Sequence, residues 1–287
     1  MPQQPSPGLA GNWGSANMPL LDGLWYEDQG QGVPVLFVHG WCMSSAVWGL
    51  QREAVAAGYR FLAVDLRGHG GSTAAGADSD GFAGYADDLV RLIRQLELQE
   101  LVAVGWSLGA QVLLKAYPSL QQQLKGLVLV GATPRFSAAP HFPYGLPAKE
   151  AAGMRLKVRR SLERALEGFQ RTLFVAGELD DPATAAAVAK VLSRVRLPDQ
   201  TSALEGLEAL MDEELLEEAG QVRCPTLLLH GSQDQTCLPA ASSWLEQQIS
   251  TSRRVLFEGC GHAPFLSRSA RFNQELLSFL HEVCSDV

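Results

Sequence analysis

The strongest chemical signal in the sequence is a serine placed between two glycines at residues 105–109, which read Gly-Trp-Ser-Leu-Gly. An apolar run of strand length precedes the first glycine, and a segment with helical character follows the second. A nucleophile on a sharp strand-to-helix turn needs small neighbours two residues away, because the strand and the helix must approach each other closely. The turn also brings the hydroxyl to a helix N-terminus, where free N–H groups favour negative charge. The pattern therefore predicts that Ser107 is a nucleophile.

A nucleophilic serine needs a base and an orienting acid, and both occur later in the chain. Asp234 and His262 each come directly after an apolar run of strand length. The order Ser, Asp, His on successive strand ends is the one that a nucleophile elbow requires. In this interpretation Ser107 attacks a carbonyl carbon, His262 transfers the proton to the leaving alcohol, and Asp234 orients the imidazole. Asp65, which ends an earlier strand, is the alternative acid.

The tetrahedral oxyanion formed by such an attack needs preset donors, each worth about 3 kcal/mol. One expected donor is the backbone N–H of Leu108, directly after the nucleophile, and the other is that of Trp41, in the loop after a strand at residues 33–39. We expect His39 to organise the backbone of that loop. The sequence shows no metal-ligand spacing and no nucleotide-binding fingerprint, so we expect neither a metal nor a cofactor.

Length and composition limit the classes of protein to which the chain can belong. With 287 residues, 46% of them hydrophobic, the chain can bury a full core. A formal net charge of −8 argues against nucleic acid as a partner. No run of about 18 apolar residues and no secretory signal are visible, so we expect no membrane association. The five scattered cysteines are odd in number, which is typical of free thiols in a reducing cytoplasm.

Strand and helix patterns alternate along most of the chain, and this alternation predicts an α/β fold: a mostly parallel central sheet with helices on both faces. Between residues 134 and 220 the strand signal disappears, which predicts a helical cap inserted into a core formed by residues 21–133 and 221–287. Residues 1–20 are rich in Pro, Gly, Asn and Ser and are expected to form a poorly ordered tail. Strands are predicted at residues 24–30, 33–39, 61–65, 101–105, 126–130, 224–230 and 253–257. Helices are predicted at residues 46–57, 84–98, 110–117, 149–175, 182–195, 202–220, 240–249 and 270–283.

Five segments in this order resemble the α/β-hydrolase family: residues 39–41, 65–72, 105–109, 230–234 and 261–265. The resemblance covers nearly the whole chain and implies the fold and the triad described above.

Within that family, the residues are most similar to the esterases that cleave the methyl ester of pimeloyl-[acyl-carrier protein] in biotin synthesis. The likeness rests on the segments Gly-Trp-Ser-Leu-Gly and His-Gly-Trp, and on residues 133–137, 162–169 and 262–265. The chain departs from these esterases at Ala110, where they tend to have glycine. The resemblance implies a serine carboxylesterase that works through an acyl-enzyme and takes an acyl-carrier protein as its partner, besides small esters. We expect the chain to act as a monomer.

The resemblance also implies roles for residues of the cap. Residues 169–173 correspond to the segment that lines the acyl pocket, and Arg164 to a carrier-contacting arginine, with Lys190 and Arg194 as further candidates. Phe169 and Leu173, four residues apart, would present one apolar face to the acyl chain. The full set of expected substrate contacts is Trp41, Ser107, Leu108, Phe169, Gln170, Arg171, Thr172, Leu173 and His262.

The charge of the cap provides a separate argument for an acidic partner. Residues 149–171 contain seven basic and three acidic side chains, a local charge of +4 in a chain of −8. A basic surface attracts an acidic carrier protein over a distance. A solvated helix face stabilised by Glu–Arg pairs explains the same composition.

Two other classes of function remain compatible with the sequence. A lactonase, a carbon–carbon bond hydrolase or a cofactor-free perhydrolase of this fold would use the same triad. Dehalogenases and epoxide hydrolases are disfavoured because they resemble this fold with Asp at the elbow. A non-catalytic binding protein is the remaining class, and the presence of all three triad residues argues against it.

Overall fold

The computed structural model describes residues 20–73 and 81–285, so all but the last residue of the expected tail lies outside the described residues. The described part of the chain contains one sheet of eight strands, in the order β1-β2-β4-β3-β5-β6-β7-β8. The strands are β1 (Leu20–Leu21), β2 (Leu24–Gln29), β3 (Pro34–Val38), β4 (Arg60–Val64), β5 (Leu101–Trp106), β6 (Leu124–Val130), β7 (Thr226–Gly231) and β8 (Ser252–Phe257).

Helices connect these strands and cover the sheet. They are α1 (Arg52–Ala56), α2 (Gly81–Gln95), α3 (Leu108–Leu120), α4 (Ala148–Arg160), α5 (Leu162–Thr172), α6 (Pro182–Leu192), α7 (Gln200–Asp212), α8 (Leu216–Gln221), α9 (Pro239–Gln248), α10 (Pro264–Ser267) and α11 (Ser269–Cys284). A short 3-10 helix, Ser45–Trp48, precedes α1. Within the described ranges, no helix is both long enough and apolar enough to cross a membrane.

The predicted fold class is confirmed. The six strands from β3 to β8 pair in parallel, and only β1 and β2 pair antiparallel to their neighbours in the described sheet. Every residue of β5 and of β7 is buried, because helices cover both faces of the sheet. This explains why the central strands are continuous apolar runs rather than alternating ones.

The stretch between β6 and β7, all of which the structure describes, contains five helices, α4 to α8, where the sequence pattern predicted three. The predicted helix at residues 149–175 is interrupted at Ser161, whose backbone is extended (φ −163°, ψ 106°). The hydroxyl of Ser161 accepts a hydrogen bond from the N–H of Arg164 (3.5 Å) and so caps α5. The predicted helix at residues 202–220 is interrupted in the same way after Asp212, because Glu213 is extended.

The connection from β3 to α1 also differs from its prediction. Residues 46–57 were expected to form one helix, but the chain forms the 3-10 helix Ser45–Trp48 and then the short helix α1. Val47 and Trp48 are fully buried, and the Trp48 ring lies 4.5 Å from that of Phe265. Burial of these two side chains, not helix periodicity, determines the path of the backbone here.

The junction of β5 and α3 is held by close backbone contacts at two glycines. A Cβ atom on Gly105 would lie 2.6 Å from the carbonyl oxygen of Gly109. A Cβ atom on Gly109 would lie 2.6 Å from the carbonyl oxygen of His39 and closer still to that of Val38. The first turn of α3 therefore rests directly on the ends of β5 and β3, which only glycine permits.

We expect the substitution Gly109→Ala to lower the free energy of unfolding by about 2–3 kcal/mol, because the new methyl group overlaps backbone atoms that cannot move aside. Gly153→Ala is the matched control, since a Cβ at this position in α4 meets nothing within 4 Å. It should raise stability by about 0.5–1 kcal/mol through helix propensity. Urea unfolding of both variants measures the difference, and equal stability of the two would contradict the close contact.

Candidate active site

Ser107 occupies a strained backbone position between β5 and α3. Its φ of 54° and ψ of −116° lie in a region that costs a non-glycine residue about 1–3 kcal/mol. The strained turn is held on both sides, because the N–H of Ser107 donates to the carbonyl of Val130 (2.9 Å) and its own carbonyl accepts from Ala110 (3.0 Å). The side chain thus lies at the N-terminus of a 13-residue helix, and the residue is 7% exposed.

Asp234 and His262 lie together at the same edge of the sheet, because β7 and β8 are parallel neighbours. Nδ1 of His262 lies 2.6 Å from Oδ2 of Asp234, and both side chains are fully buried. The other carboxylate oxygen, Oδ1, accepts the backbone N–H groups of Thr236 (2.8 Å) and Cys237 (3.0 Å). The carboxylate is therefore fixed in orientation by its own loop.

The surroundings of Asp234 keep it ionised. Burial by itself would raise the pKa of the Asp234 carboxyl, but the charges and hydrogen bonds of His262 and His230 outweigh burial and hold it well below its usual value. An ionised carboxylate accepts the Nδ1 proton of His262, which leaves Nε2 as the acceptor in the neutral ring. This is the tautomer that a general base requires.

The backbone and ring of His262 are fixed against the nucleophile turn. The indole N–H of Trp106 donates to the carbonyl oxygen of His262 (2.9 Å), and the two rings lie 5.3 Å apart. Nε2 of His262 is buried and has no hydrogen-bond partner in the described part of the chain, so the Ser107 hydroxyl is not bonded to it in this structure. Catalytic hydrogen bonds are often long or poorly aligned without substrate and tighten when it binds.

His230 is a further member of the site, and the sequence analysis assigned it no role. Its Nε2 lies 3.2 Å from Oδ2 of Asp234 and 2.8 Å from the carbonyl oxygen of Cys237. Both neighbours are acceptors, so Nε2 carries the proton and donates to them. The sequence contains one indication of this role, which is the position of His230: it is the last polar residue of β7 and lies four residues before Asp234.

The two expected oxyanion donors lie at the start of α3 and in the turn after β3. Leu108 is the first residue of α3, so its N–H has no partner within the helix. Trp41 lies in the turn after β3, and its indole N–H donates to the carbonyl of Ala203 in α7 (2.8 Å). The next residue, Cys42, has a left-handed φ of 54°, which marks a sharp bend immediately after Trp41.

Two buried histidines support this loop. Nδ1 of His39 donates to the carbonyl of Gly40 (2.8 Å), and its Nε2 accepts the N–H of Leu66 (3.0 Å). Nε2 of His69 accepts the N–H of Cys42 (3.3 Å). Burial lowers the pKa of His39 to about 4 and that of His69 to about 3, so both rings are neutral near pH 7. The expected role of His39 in organising the loop agrees with these contacts.

The alternative acid, Asp65, makes no hydrogen bond to His262. One of its carboxylate oxygens accepts the N–H of Ser45 (2.6 Å), and the other accepts that of Gly71 (2.7 Å). Asp65 therefore joins the loop after β3 to the loop after β4.

Residues 169–173, which were expected to line the acyl pocket, lie in two different environments in the structure. The Phe169 ring packs edge-on against that of Trp41 at 5.1 Å, and the carbonyl of Leu173 accepts the N–H of His262 (2.8 Å). Gln170 and Arg171 instead line a groove of about 630 Å³ between α5 and α6. The exposed Thr172 donates its hydroxyl to the carbonyl of Phe169 (2.7 Å).

The residues expected to contact a carrier protein lie on two helices. Arg164 is exposed on α5 and, with Lys157 and Arg160 of α4, lines a hollow of about 330 Å³. Lys190 is exposed on α6, and Arg194 is exposed just beyond the end of that helix. Among the described residues, no cluster of His, Cys, Asp and Glu side chains has the arrangement of a metal site.

Comparison with known proteins identifies the class. The model of the α/β-hydrolase fold matches residues 33–269, and the chain belongs to this family. Its relatives include a pimeloyl-[acyl-carrier protein] methyl ester esterase from Nitrosomonas europaea, which is 32% identical over 246 residues that cover 86% of this chain and 95% of the relative. An esterase of the same name from Nitrosospira multiformis is 28% identical and covers 89% and 97%.

A solved structure extends the comparison to three dimensions. An esterase from Exiguobacterium antarcticum aligns with a TM-score of 0.82 at 28% identity, and the alignment covers 91% of this chain and 96% of that one. Within the α/β-hydrolase family, the chain is a carboxylic ester hydrolase, as the sequence predicted.

The low pKa values of His39 and His69 predict that the protein loses stability as the pH falls below about 6.5. Between pH 6.5 and the two folded-state values, the unfolded chain binds protons that the native protein does not. Lowering the pH from 7.5 to 5 should therefore reduce the free energy of unfolding by about 2 kcal/mol for each histidine.

Urea unfolding at the two pH values measures this loss. The variant His69→Gln should show a smaller loss than the wild type, whereas His281→Gln, at an exposed histidine of α11, should show the same loss. An unchanged pH dependence in His69→Gln would contradict the prediction.

Proposed function

We propose that the chain is a serine carboxylesterase in which Ser107, His262 and Asp234 form the catalytic triad. The observation that carries the proposal is the 2.6 Å contact between His262 and the buried carboxylate of Asp234. It lies at the edge of the sheet where the strained turn presents Ser107. The pairing supplies a base of the correct tautomer beside a nucleophile, which is what ester cleavage requires.

In the acylation step, Oγ of Ser107 forms a bond to the ester carbonyl carbon as its proton passes to Nε2 of His262. The carbonyl oxygen becomes an oxyanion, for which the N–H groups of Leu108 and Trp41 are the proposed donors. The bond to the alkoxy group then breaks, and His262 returns the proton to it, so that an alcohol leaves and an acyl-serine remains. Water repeats the sequence, releasing a carboxylic acid and restoring Ser107.

The environment of Asp234 supports this cycle electrostatically. When His262 takes the proton it becomes an imidazolium ion, and the adjacent carboxylate stabilises that charge in a site without bulk water. The carboxylate of Asp234 has four donors, which are two histidine rings and two backbone N–H groups. These donors keep it in place before and after proton transfer. Little reorganisation accompanies the reaction, which is the basis of electrostatic catalysis.

For the substrate, we propose the methyl ester of a pimeloyl group carried on acyl-carrier protein, which is the substrate named for the two bacterial relatives. Phe169, Leu173 and Trp41 are buried apolar side chains near His262, and we propose that they line the pocket for the methylene groups of the acyl chain. The exposed hollow of Lys157, Arg160 and Arg164 suits an acidic carrier. The products are methanol and the free carboxylate on the carrier. Five free cysteines fit a reaction in the cytoplasm, where thiols stay reduced.

The substitution Ser107→Ala should reduce turnover of p-nitrophenyl butyrate by about 10⁴-fold or more, because no other group can form the acyl-enzyme. A fluorophosphonate probe should label the wild type and fail to label this variant. Ser193→Ala, at an exposed serine directly after α6, is the control and should behave as the wild type. Substantial turnover by Ser107→Ala would refute the proposed triad.

Carrier recognition can be separated from chemistry by reversing charge on the cap. The double substitution Arg164→Glu and Lys190→Glu should lower kcat/KM for carrier-bound pimeloyl methyl ester by about tenfold at low salt, because electrostatic attraction speeds encounter. Hydrolysis of p-nitrophenyl butyrate should not change. Arg94→Glu is the matched control. Arg94 is also an exposed basic residue, but it lies at the end of α2 that leads into the start of β5, at the edge of the sheet opposite the proposed site. Equal losses on the carrier-bound and the free ester would argue against a docking role.

A further inference from the structure

We propose that Glu178, in the linker between α5 and α6, is a positioning residue for the base His262. It would hold the two ends of the loop that carries the imidazole, a role that rests on the proposed function of His262. The linker comprises residues 173–181 and joins the helix that bears Phe169 to the next helix of the insertion.

The side chain of Glu178 is buried, with the residue 3% exposed, and its carboxylate faces the His262 loop. Oε2 accepts the backbone N–H of Gly261 (2.8 Å), the residue directly before His262. Oε1 accepts the hydroxyl of Ser267, which ends α10 on the far side of the same loop. Oε2 also accepts the N–H of Val175 within the linker (2.8 Å). One carboxylate therefore connects the linker to both ends of the loop.

Two further contacts between linker and loop surround the carboxylate. The carbonyl of Leu173 accepts the N–H groups of His262 (2.8 Å) and Ala263 (3.2 Å). The guanidinium of Arg268 donates to the backbone carbonyl of Glu178 (3.1 Å). A Cβ atom on Gly261 would lie only 2.6 Å from the carbonyl oxygen of Leu173, so linker and loop are in direct backbone contact. The loop is held along its whole length by one segment of the insertion.

The burial of Glu178 is not explained by packing alone. Burying a carboxylate is unfavourable unless donors compensate for the lost water, and here the donors are the His262 loop and the linker itself. Asp180 is an exposed acid of the same linker, and Asp181 caps α6 by accepting the N–H of Thr184 (2.8 Å). Glu178 alone among these three acids faces inward.

The consequence for catalysis follows from the remaining freedom of His262. Asp234 holds the ring at Nδ1, Trp106 holds the backbone carbonyl, and the carbonyl of Leu173 holds the N–H groups of His262 and Ala263. None of these contacts fixes Gly261 before the histidine or Ser267 at the far end of the loop. A base must be held to within about 0.5 Å of its productive position. If Glu178 is lost, the loop can shift and Nε2 moves relative to Ser107. The rate at which bound substrate reacts should fall, whereas the affinity for substrate should stay the same.

The test compares Glu178→Ala with the wild type on p-nitrophenyl butyrate, with active sites counted by fluorophosphonate labelling to completion. We expect kcat per labelled site to fall by about 10- to 100-fold while KM stays unchanged, because displacement of a catalytic group affects the reaction step. Glu178→Gln should recover most of the turnover, since its amide oxygen can still accept the N–H groups of Gly261 and Val175. Asp180→Ala, on the same linker, should behave as the wild type.

A second variant keeps the proposal open to test if Glu178→Ala does not fold. Ser267→Ala removes only the donor to Oε1 and should lower kcat per labelled site by less than Glu178→Ala does, with KM and the thermal midpoint nearly unchanged. Wild-type kcat in Glu178→Ala overturns the proposal, and so does wild-type kcat in Ser267→Ala where Glu178→Ala does not fold. The proposal is also overturned if the activity lost in Glu178→Ala is fully explained by a smaller fraction of folded protein.

The variant His262→Ala separates this inference from the proposed function. Retained turnover in His262→Ala would overturn the assignment of the base and the inference with it. An inactive His262→Ala together with a fully active Glu178→Ala would overturn the inference alone.

Discussion

The site depends on one close backbone contact, in which the first turn of α3 lies on the ends of β5 and β3 without side chains between them. Gly105 and Gly109 permit this contact, and it keeps Ser107 in a conformation that an unsupported chain would leave. Because Gly109 touches the carbonyl groups of Val38 and His39, the same contact sets the position of the loop that follows β3. The proposed nucleophile and one proposed oxyanion donor are therefore positioned together.

The parallel sheet adds the proposed acid and the proposed base to this turn. Parallel neighbours end at the same edge, so β7 and β8 bring Asp234 and His262 together although 28 residues separate them in the chain. Once buried, the carboxylate needs donors on every side, and His230 and two backbone N–H groups of the Asp234 loop complete the set. The proposed acid is rigid for an electrostatic reason as well as a geometric one.

The helices between β6 and β7 are joined to the same site by the backbone of the linker after α5. Helix α5 places Phe169 against Trp41, and the linker that follows α5 holds the loop of His262 through Leu173 and Glu178. A movement of these helices would therefore alter both the surface proposed for the acyl chain and the position of the base. In the proposed mechanism, substrate binding and proton transfer share one structural support.

The sequence by itself determined the order of the seven strands β2 to β8, the turn at Ser107 and the placement of Asp234 and His262 after later strands, because each has a local signature in residue type and spacing. Only the tertiary structure decided the break at Ser161, the second histidine on Asp234 and the separation of Gln170 and Arg171 from Phe169 and Leu173. The same is true of Glu178, which bonds to a residue 83 positions away. Periodicity reports how a segment folds locally. The partner of a buried polar group is chosen by packing between distant segments, and no local pattern records that choice.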